Sequence, residues 1–293
     1  MHVRTYAPTA LDRRRGLAWG LIGVVAFSVT LPATRLAVAS LDPVFVGLGR
    51  AVVAALLAGV VLIATRSATP PRELWPRLAL VAAGVVVGFP LLTAWAMRHV
   101  PASHGAVVIG LLPLATAAAA AWIAHERPSR RFWTCALAGS AVVVAFAIWQ
   151  GGGSLHVADL LLLGAVASAA IGYAEGARLS RIIGGWQVIS WALVLSAPLL
   201  AVPAWYAAGD LANVPTTAWA AFAYVSLVSM YLGFFAWYRG LAQGGIAAVG
   251  QMQLLQPFLT IVFSAWMLDE ALDPVTFAAA GLVIGAIAVG RRA

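Results

Sequence analysis

The residues in this sequence that could bind a small molecule are uncharged polar and aromatic side chains set inside long apolar runs. The candidate binding residues are Ser28, Thr30, Phe89, Pro90, Thr93, His104, Ser168, Tyr173, Met230, Tyr231, Trp237, Gln251 and Gln253. Lipid offers an amide or a hydroxyl no hydrogen bond, so such groups must face other protein or a wet cavity. Aromatic rings beside them supply apolar walls. The combination predicts a cavity for a small molecule, such as a zwitterion.

Spacing places some of these residues on a common helix face. Gln253, Pro257 and Thr260 are three or four residues apart and share a face, whereas Gln251 points elsewhere. A proline inside a helix cannot donate to the carbonyl four residues earlier, so Pro113 and Pro257 each free one carbonyl. Amides, hydroxyls and freed carbonyls can bind an ammonium group, and amide or phenol donors can bind a carboxylate.

Few charges lie deep in the apolar runs, and Arg50 is the deepest of them. It lies about seven residues into its run, roughly 10 Å below the start at 1.5 Å per residue. Three interpretations stay open: the side chain extends back to water, it pairs with Asp42, or it contacts a substrate carboxylate. Near the end of another run, Glu175, Arg178 and Arg181 predict a local charge network.

No residue pattern indicates a metal, a cofactor or a catalytic group. His125 and Glu126 lack the second histidine of an H-E-x-x-H site. The single cysteine, Cys135, can form neither an internal disulfide nor a cysteine metal cluster, and it is assigned to packing. The sequence also contains no P-loop, so we expect no direct use of ATP. We therefore expect a protein that is not an enzyme and binds no cofactor.

The chain that carries these residues must fold in lipid. Of its 293 residues, 62% are hydrophobic and only 10% are charged, against about 25% charged in soluble domains. A soluble domain of this size cannot hide so much apolar surface. Apolar runs of about 20 residues, the length that crosses a bilayer as a helix, occur ten times. They are 16–38, 43–64, 74–97, 102–123, 130–149, 157–178, 186–207, 216–239, 245–267 and 273–290.

The positive charges predict how the chain is oriented in the membrane. All 18 basic residues are arginine, and most lie in the gaps between apolar runs, in the N-terminal tail or near the ends of the runs, which is typical of a membrane protein rather than of a nucleic-acid partner. With 1–15 as a cytoplasmic tail, fifteen arginines fall on the inner side. The other three, Arg35, Arg50 and Arg98, fall on the outer side. This bias predicts cytoplasmic N- and C-termini and an even number of spans.

The two halves of the chain repeat one pattern. Pro113, Thr116, Trp122 and Glu126 return 144 residues later as Pro257, Thr260, Trp266 and Glu270. The first half (16–149) and the second half (157–290) each hold five spans, and an odd number turns the two halves in opposite directions. The predicted fold is an all-α integral membrane protein with ten transmembrane helices in two inverted five-helix repeats. Inverted repeats are common in secondary transporters, whose sites lie between the repeats. Both glutamates are predicted to fix helix ends.

Small residues predict where helices approach closely. Gly84 and Gly88, and Gly281 and Gly285, form two G-x-x-x-G pairs. Ser168 lies in a series of small residues that recur every four positions. For Ser168, contact between helices is therefore as good an interpretation as cavity lining.

Two five-helix halves that each end in a Pro…Trp…Glu helix and a short last helix resemble the EamA modules of the drug/metabolite transporter superfamily. Trp19, Gly20 and Arg50 also resemble the pattern of that family. The resemblance covers the whole chain, and the chain is most similar to the YddG-type aromatic amino acid exporters. It implies a multi-pass protein of the bacterial inner (plasma) membrane that exports small metabolites. The narrower match implies aromatic and other neutral amino acids, moved by alternating access around a central cavity between the repeats.

Several alternatives stay open at this point. A carrier for a drug, a nucleoside or a sugar derivative would share the fold, and a channel is compatible with an inverted repeat. No Asp, Glu or Lys lies at the centre of a span, where an ion-driven carrier usually places a carboxylate. Coupling would then use His104 or a peripheral carboxylate, and we expect facilitated or weakly coupled transport. The expected partners are a small molecule and the lipid bilayer, with a monomer favoured.

Overall fold

The chain is helical throughout the part that the structure, a computed structural model, describes. The described residues are 10–124, 130–150, 156–244, 249 and 251–291, and no strand occurs among them. The α-helices in these ranges are α1 (Ala10–Ser28), α2 (Thr30–Val38), α3 (Arg50–Ala64), α4 (Trp75–Val81), α5 (Phe89–Ala96), α6 (Ala102–Ile109), α7 (Leu112–Ala124), α8 (Arg130–Gln150), α9 (Val157–Ile183), α10 (Gly185–Tyr206), α11 (Thr216–Ala223), α12 (Gly233–Gly244), α13 (Gln256–Leu268) and α14 (Pro274–Arg291).

Irregular helical segments join several of these helices end to end. Three are π-helical: Phe45–Gly49 before α3, Ala82–Gly88 between α4 and α5, and Tyr224–Leu232 between α11 and α12. Two are 3₁₀-helical: Arg72–Leu74 before α4 and Gln251–Leu255 before α13. Such segments are tolerated within a membrane where neighbouring protein satisfies the altered backbone.

Seven helical runs in the described part are long and apolar enough to cross a membrane. They are Arg14–Val38, Phe45–Ala64, Arg72–Ala96, Ala102–Ile123, Val157–Ile183, Gly185–Tyr206 and Thr216–Leu241. They coincide with seven of the ten predicted spans, and the prediction of an all-helical membrane protein is confirmed. Shorter apolar helices, Leu137–Phe146, Met252–Leu268 and Pro274–Ala286, occupy the other three predicted ranges.

Prolines account for three breaks in these runs. Pro32 has no N–H to donate to the Ser28 carbonyl, and α1 ends at Ser28. In the same way, α6 ends at Ile109, four residues before Pro113. Helix α13 begins one residue before Pro257, with a 3₁₀ segment ahead of it. The breaks at Pro32 and Pro113 each divide a membrane-spanning run into two half-helices, and the break at Pro257 separates α13 from the 3₁₀ segment before it.

Helix α9 lies at the centre of the bundle, where it contacts α5, α6, α7, α10 and α12. Its crossing with the π segment Ala82–Gly88 is especially close. A Cβ atom added to Gly84 would lie 2.8 Å from the Cα atom of Gly172, and one added to Gly88 would lie 2.7 Å from the Ser168 hydroxyl oxygen. The predicted role of Gly84 and Gly88 in close packing is confirmed, and Ser168 serves this crossing.

The second G-x-x-x-G pair behaves differently. A Cβ atom added to Gly281 or Gly285 would meet no atom of the described chain within 4 Å. The prediction that this pair brings two helices together is therefore wrong for the described part of the molecule. Many large apolar side chains elsewhere also point outward, among them Leu56, Val60 and Ile63 on α3 and Leu199 on α10. These surfaces fit contact with lipid tails.

The two glycine environments predict opposite effects of adding one methyl group. Gly84→Ala should destabilise the protein by about 1–3 kcal/mol, because the crossing with α9 has no room for a Cβ atom. Gly281→Ala is the matched control and should be neutral or slightly stabilising, since alanine favours a helix over glycine by about 1 kcal/mol. Thermal unfolding in detergent measures both. An unfolding temperature for Gly84→Ala that equals or exceeds that of Gly281→Ala would contradict the close crossing.

Candidate functional site

Two adjoining cavities lie inside the bundle, between residues of the first and the second half. The Arg50 cavity is lined by Phe27, Thr30, Arg50, Val85, Phe89, Leu112, Ala169, Tyr173, Ser229, Phe234 and Gln256. The Gln253 cavity is lined by Leu31, Ala106, Ile109, Leu112, Pro113, Gln253, Gln256, Pro257 and Thr260. Leu112 and Gln256 line both, so the two cavities are neighbours separated by shared walls.

The breaks in the membrane-spanning runs converge on the Arg50 cavity. Thr30, Leu112 and Gln256 are the first residues of the half-helices α2, α7 and α13. Arg50 and Phe89 are the first α-helical residues after π segments. The N-terminal end of a helix carries unpaired N–H groups and a partial positive charge. This wall of the cavity is therefore suited to negative charge.

Arg50 is the charged group of the Arg50 cavity. Only 2% of its surface is exposed, and its Nε and Nη1 atoms have no hydrogen-bond partner in the described part of the chain. The interpretation that Arg50 extends to water is therefore wrong, because the side chain is enclosed by the helices. Pairing with Asp42 is also wrong, since the Asp42 carboxylate is exposed and accepts the Val44 N–H at 2.7 Å. A buried guanidinium with free donors favours an anionic ligand.

Hydroxyl groups and aromatic rings complete the Arg50 cavity. The Thr30 and Ser229 hydroxyl oxygens are 2.8 Å apart and hydrogen-bond across the two halves. Phe234 lies between Phe27 and Tyr173, with ring centroids 5.1 and 6.0 Å away. Access for a water-sized molecule is confined to a small part of the cavity. A ligand larger than water therefore requires the surrounding helices to move apart.

A charge cluster holds one end of the bundle together. The Glu270 carboxylate accepts the backbone N–H groups of Ala102 and Ser103 at 2.8 and 2.9 Å, and so caps the first turn of α6. Its Oε1 atom also lies 3.6 Å from the Arg35 Nε atom. The Arg35 guanidinium donates to the carbonyls of Met97 and Val100 at the end of the preceding run. The prediction that Glu270 fixes a helix end is confirmed; Glu126 lies outside the described residues.

A second contact reinforces the same turn of α6. The His104 Nε2 atom and the Asp159 Oδ1 atom are 2.6 Å apart, and both side chains are buried. Asp159 also accepts the His156 backbone N–H at 2.9 Å at the start of α9. His104 therefore binds a structural partner at this end of the bundle instead of lining either cavity.

A third cluster lies at the other end of α9. The buried Glu175 carboxylate accepts from Arg77 of α4 and, at 3.0 Å, from Arg178 of the next turn. Glu175 is about 24 Å from Asp159 along the helix at 1.5 Å per residue, so the clusters close opposite ends of the bundle. The predicted charge network is present, but its partner is Arg77, while Arg181 is exposed.

The profile of the EamA-like transporter family matches residues 14–149 and again residues 156–290. The chain belongs to this family. It is thus a membrane transporter of the drug/metabolite superfamily, as the resemblance in the sequence predicted. Among the described residues, no group of three or more His, Cys, Asp or Glu side chains could hold a metal ion.

Related proteins extend this assignment. The chain is 49% identical over 274 residues to an uncharacterized transporter, YdeK, of Bacillus subtilis strain 168, covering 93% of this chain and 96% of that one. It is 27% identical over 286 residues to a probable terminal-alkyne amino-acid exporter of Streptantibioticus cattleyicolor, covering 94% and 93%. A crystal structure with 18% sequence identity superposes with a TM-score of 0.66 over 94% of this chain and 96% of the other. That likeness shows a shared fold.

The structure brings four of the sequence-predicted binding residues to the cavity walls. Thr30, Phe89 and Tyr173 line the Arg50 cavity, and Gln253 lines the Gln253 cavity. Trp237 lies beside Tyr173 of the Arg50 cavity, and the centroids of the two rings are 6.3 Å apart. The Gln251 side chain lies outside the described part of the structure.

The remaining predicted residues line neither cavity, and each has another role. The Ser28 hydroxyl donates to the Val24 carbonyl and the Thr93 hydroxyl to the Phe89 carbonyl, both at 2.7 Å within their own helices. The Tyr231 hydroxyl is 2.9 Å from that of Ser190, on the side of α10. Three more residues lie in helix contacts or the buried core: Pro90, Ser168 and Met230.

Sequence reasoning missed several cavity residues. Phe27, Ser229 and Phe234 line the Arg50 cavity but were not among the candidates. Ser229 belongs to the π segment Tyr224–Leu232, where the number of residues per turn differs from that of an α-helix. Its facing direction therefore does not follow from ordinary helical spacing. Phe27 immediately precedes the candidate Ser28, so the prediction named the residue next to the one that lines the cavity.

The cap on α6 predicts a local effect of removing Glu270. Glu270→Ala should leave the Ala102 and Ser103 N–H groups unpaired, cost about 1–2 kcal/mol and raise hydrogen exchange in α6. Asp210→Ala is the matched control. Among the described bonds, the Asp210 carboxylate accepts only the N–H of Ala212, which lies in the same exposed loop. Hydrogen exchange read by mass spectrometry measures both. Equal protection of α6 in the two variants would show that Glu270 is not the cap.

Proposed function

We propose that this transporter exports small carboxylate-bearing metabolites, specifically aromatic and other neutral amino acids, by alternating access around the Arg50 cavity. The observation that carries the proposal is Arg50, a buried guanidinium with two donor atoms unpaired on a cavity wall. A buried charge without a partner is costly, and a bound carboxylate offsets that cost through short charge-assisted hydrogen bonds. The substrate therefore supplies the group that the folded protein lacks.

The surrounding backbone supports the same charge preference. The half-helices α2, α7 and α13 begin at residues that line this cavity. Helix N-termini that point at an anionic group of the substrate are a recurring feature of secondary transporters with broken helices. Because the interior has a low dielectric constant, these partial charges act strongly there. They add to the attraction that Arg50 exerts on a carboxylate.

The rest of the cavity fits an apolar or aromatic side chain. Phe27, Phe89, Tyr173 and Phe234 contribute four rings to its lining, and aromatic rings pack well against one another and against aliphatic groups. A nucleotide would require further basic groups, and Arg50 is the one basic residue among the described lining. The similarity to a probable terminal-alkyne amino-acid exporter supports an amino acid as the substrate class.

The proposed mechanism rests on ten transmembrane helices in two inverted repeats, 16–149 and 157–290. The two separate family matches, at 14–149 and 156–290, support this division. The arginine distribution supports cytoplasmic termini, and the bacterial sources of the two relatives support a bacterial inner membrane. No carboxylate occurs among the described residues that line the cavities. The proposal is therefore facilitated or weakly coupled transport without catalysis.

Substitution of Arg50 tests this proposal. In liposomes preloaded with unlabelled phenylalanine, the wild-type protein should take up labelled phenylalanine by counterflow. Arg50→Gln should raise the half-saturation concentration about 10-fold or more, because a hydrogen bond to a charged group contributes about 1.5–3 kcal/mol. Arg181→Gln is the matched control, since Arg181 is exposed at the end of α9.

Two results would contradict the proposal. Counterflow by Arg50→Gln that equals the wild type would show that Arg50 does not bind the substrate. An absence of counterflow by the wild type with any neutral amino acid would exclude amino acid transport. A drug, a nucleoside or a sugar derivative would then be the substrate class to examine. A current that does not saturate with substrate would indicate a channel.

A further inference from the structure

We infer that the Gln253 cavity is the subsite for the substrate's ammonium group, so that the transporter selects zwitterionic α-amino acids and discriminates against carboxylic acids that lack the amine. This inference rests on the proposed function, because it assigns the second charged group of a substrate whose carboxylate binds Arg50. It names Gln253 and Thr260 as specificity-determining residues.

Two prolines from different halves line this cavity together with the residues four positions earlier, to whose carbonyls they cannot donate. Pro113 cannot donate to the Ile109 carbonyl, and Pro257 cannot donate to the Gln253 carbonyl. All four residues line the Gln253 cavity. Backbone carbonyls released in this way are strong acceptors, and in secondary transporters they coordinate cations at broken helices. No charged side chain lines this cavity among the described residues, and Pro113 leaves the Ile109 carbonyl without its usual helical donor.

The end of α6 adds negative potential. This helix ends at Ile109, and the C-terminal end of a helix carries a partial negative charge. Leu112 and Gln256, the first residues of α7 and α13, border both cavities, whereas Arg50 lines the Arg50 cavity and not the Gln253 cavity. The Arg50 charge therefore distinguishes the Arg50 cavity from its neighbour, which no charged side chain lines among the described residues.

Gln253 is the side chain poised to recognise the amine. It is 3% exposed, and its Nε2 atom has no hydrogen-bond partner in the described part of the chain. Rotation about the terminal bond of the side chain exchanges the amide nitrogen and oxygen, so Gln253 can present its oxygen to an ammonium group. The buried Thr260 hydroxyl, on the same wall, supplies another acceptor.

The arrangement of the two cavities matches the geometry of an α-amino acid. Its ammonium and carboxylate groups are attached to the same carbon atom, so their subsites must adjoin. Leu112 and Gln256 line both cavities, which places the two subsites on either side of a shared wall. A site that hydrogen-bonds a polar group discriminates against an analogue without it, because the site's own polar groups are then left unpaired.

A panel of three ligands tests the inference on the wild-type protein. Phenylalanine carries both groups, 3-phenylpropionate lacks the amine, and 2-phenylethylamine lacks the carboxylate. Each competes for counterflow of labelled phenylalanine in liposomes. We expect unlabelled phenylalanine to compete at least about 10-fold more tightly than 3-phenylpropionate. Equal competition by these two would overturn the inference while leaving the Arg50 proposal intact.

Two variants at one position separate the possible roles of Gln253. Gln253→Leu should weaken phenylalanine about 10-fold and leave 3-phenylpropionate unchanged, so that the discrimination disappears. Gln253→Glu keeps an acceptor and should retain phenylalanine within a few-fold of the wild type. If Gln253 instead donates to the substrate carboxylate, Gln253→Glu would repel that carboxylate and abolish competition by both acids, which would overturn the inference.

A glutamine outside the site controls for general effects of the substitution. Gln187 lies in a separate pocket near Pro70 and Trp191, so Gln187→Leu should leave the discrimination between the two acids unchanged. Loss of the discrimination in Gln187→Leu as well would assign the effect to the fold and would count against the subsite. If Arg50→Gln fails to weaken phenylalanine while Gln253→Leu does, the proposed carboxylate site fails separately from the amine subsite.

Discussion

The absence of water from the membrane interior is the constraint on which the rest of this structure depends. Every polar group there needs a partner within the protein, which is why the spans are helices. Five residues that line the Arg50 cavity lie where a helix is broken or changes its type. They are Thr30, Arg50, Phe89, Leu112 and Gln256. Several irregular stretches of the described backbone thus border the region where a polar ligand can bind.

The charged groups outside the cavities follow the same logic at the ends of the bundle. Glu270 belongs to the second half, yet it caps α6 and lies beside Arg35, both in the first half. Glu175 likewise belongs to the second half and binds Arg77 in the first. Under the proposed alternating access, opening either end would separate such pairs, and water could solvate the exposed carboxylate. The unpaired Arg50 charge in the middle would instead need a ligand.

Hydropathy and length predicted the membrane fold well, because a run such as 157–178 has no other stable environment than lipid. The site was less accessible to sequence reasoning. The depth of Arg50 followed from its position, but its direction depended on how α3 is rotated in the bundle. Counting at 3.6 residues per turn fails across the π segment that holds Ser229. The partner of His104 was equally hidden, since Asp159 lies 55 positions away in the chain.

The proposed inverted repeat gives the two cavities different roles during transport. Pro113 and Pro257 occupy equivalent positions of the two halves and line the same cavity, as expected for residues close to the axis that relates the halves. Arg50 has no such counterpart, because the residues 143 and 144 positions later are Leu193 and Val194. In the proposed mechanism the first half would supply the guanidinium for the substrate carboxylate, while residues of both halves line the cavity around it. Because the two polar groups of an α-amino acid are attached to one carbon atom, they would move together when the halves rock against each other.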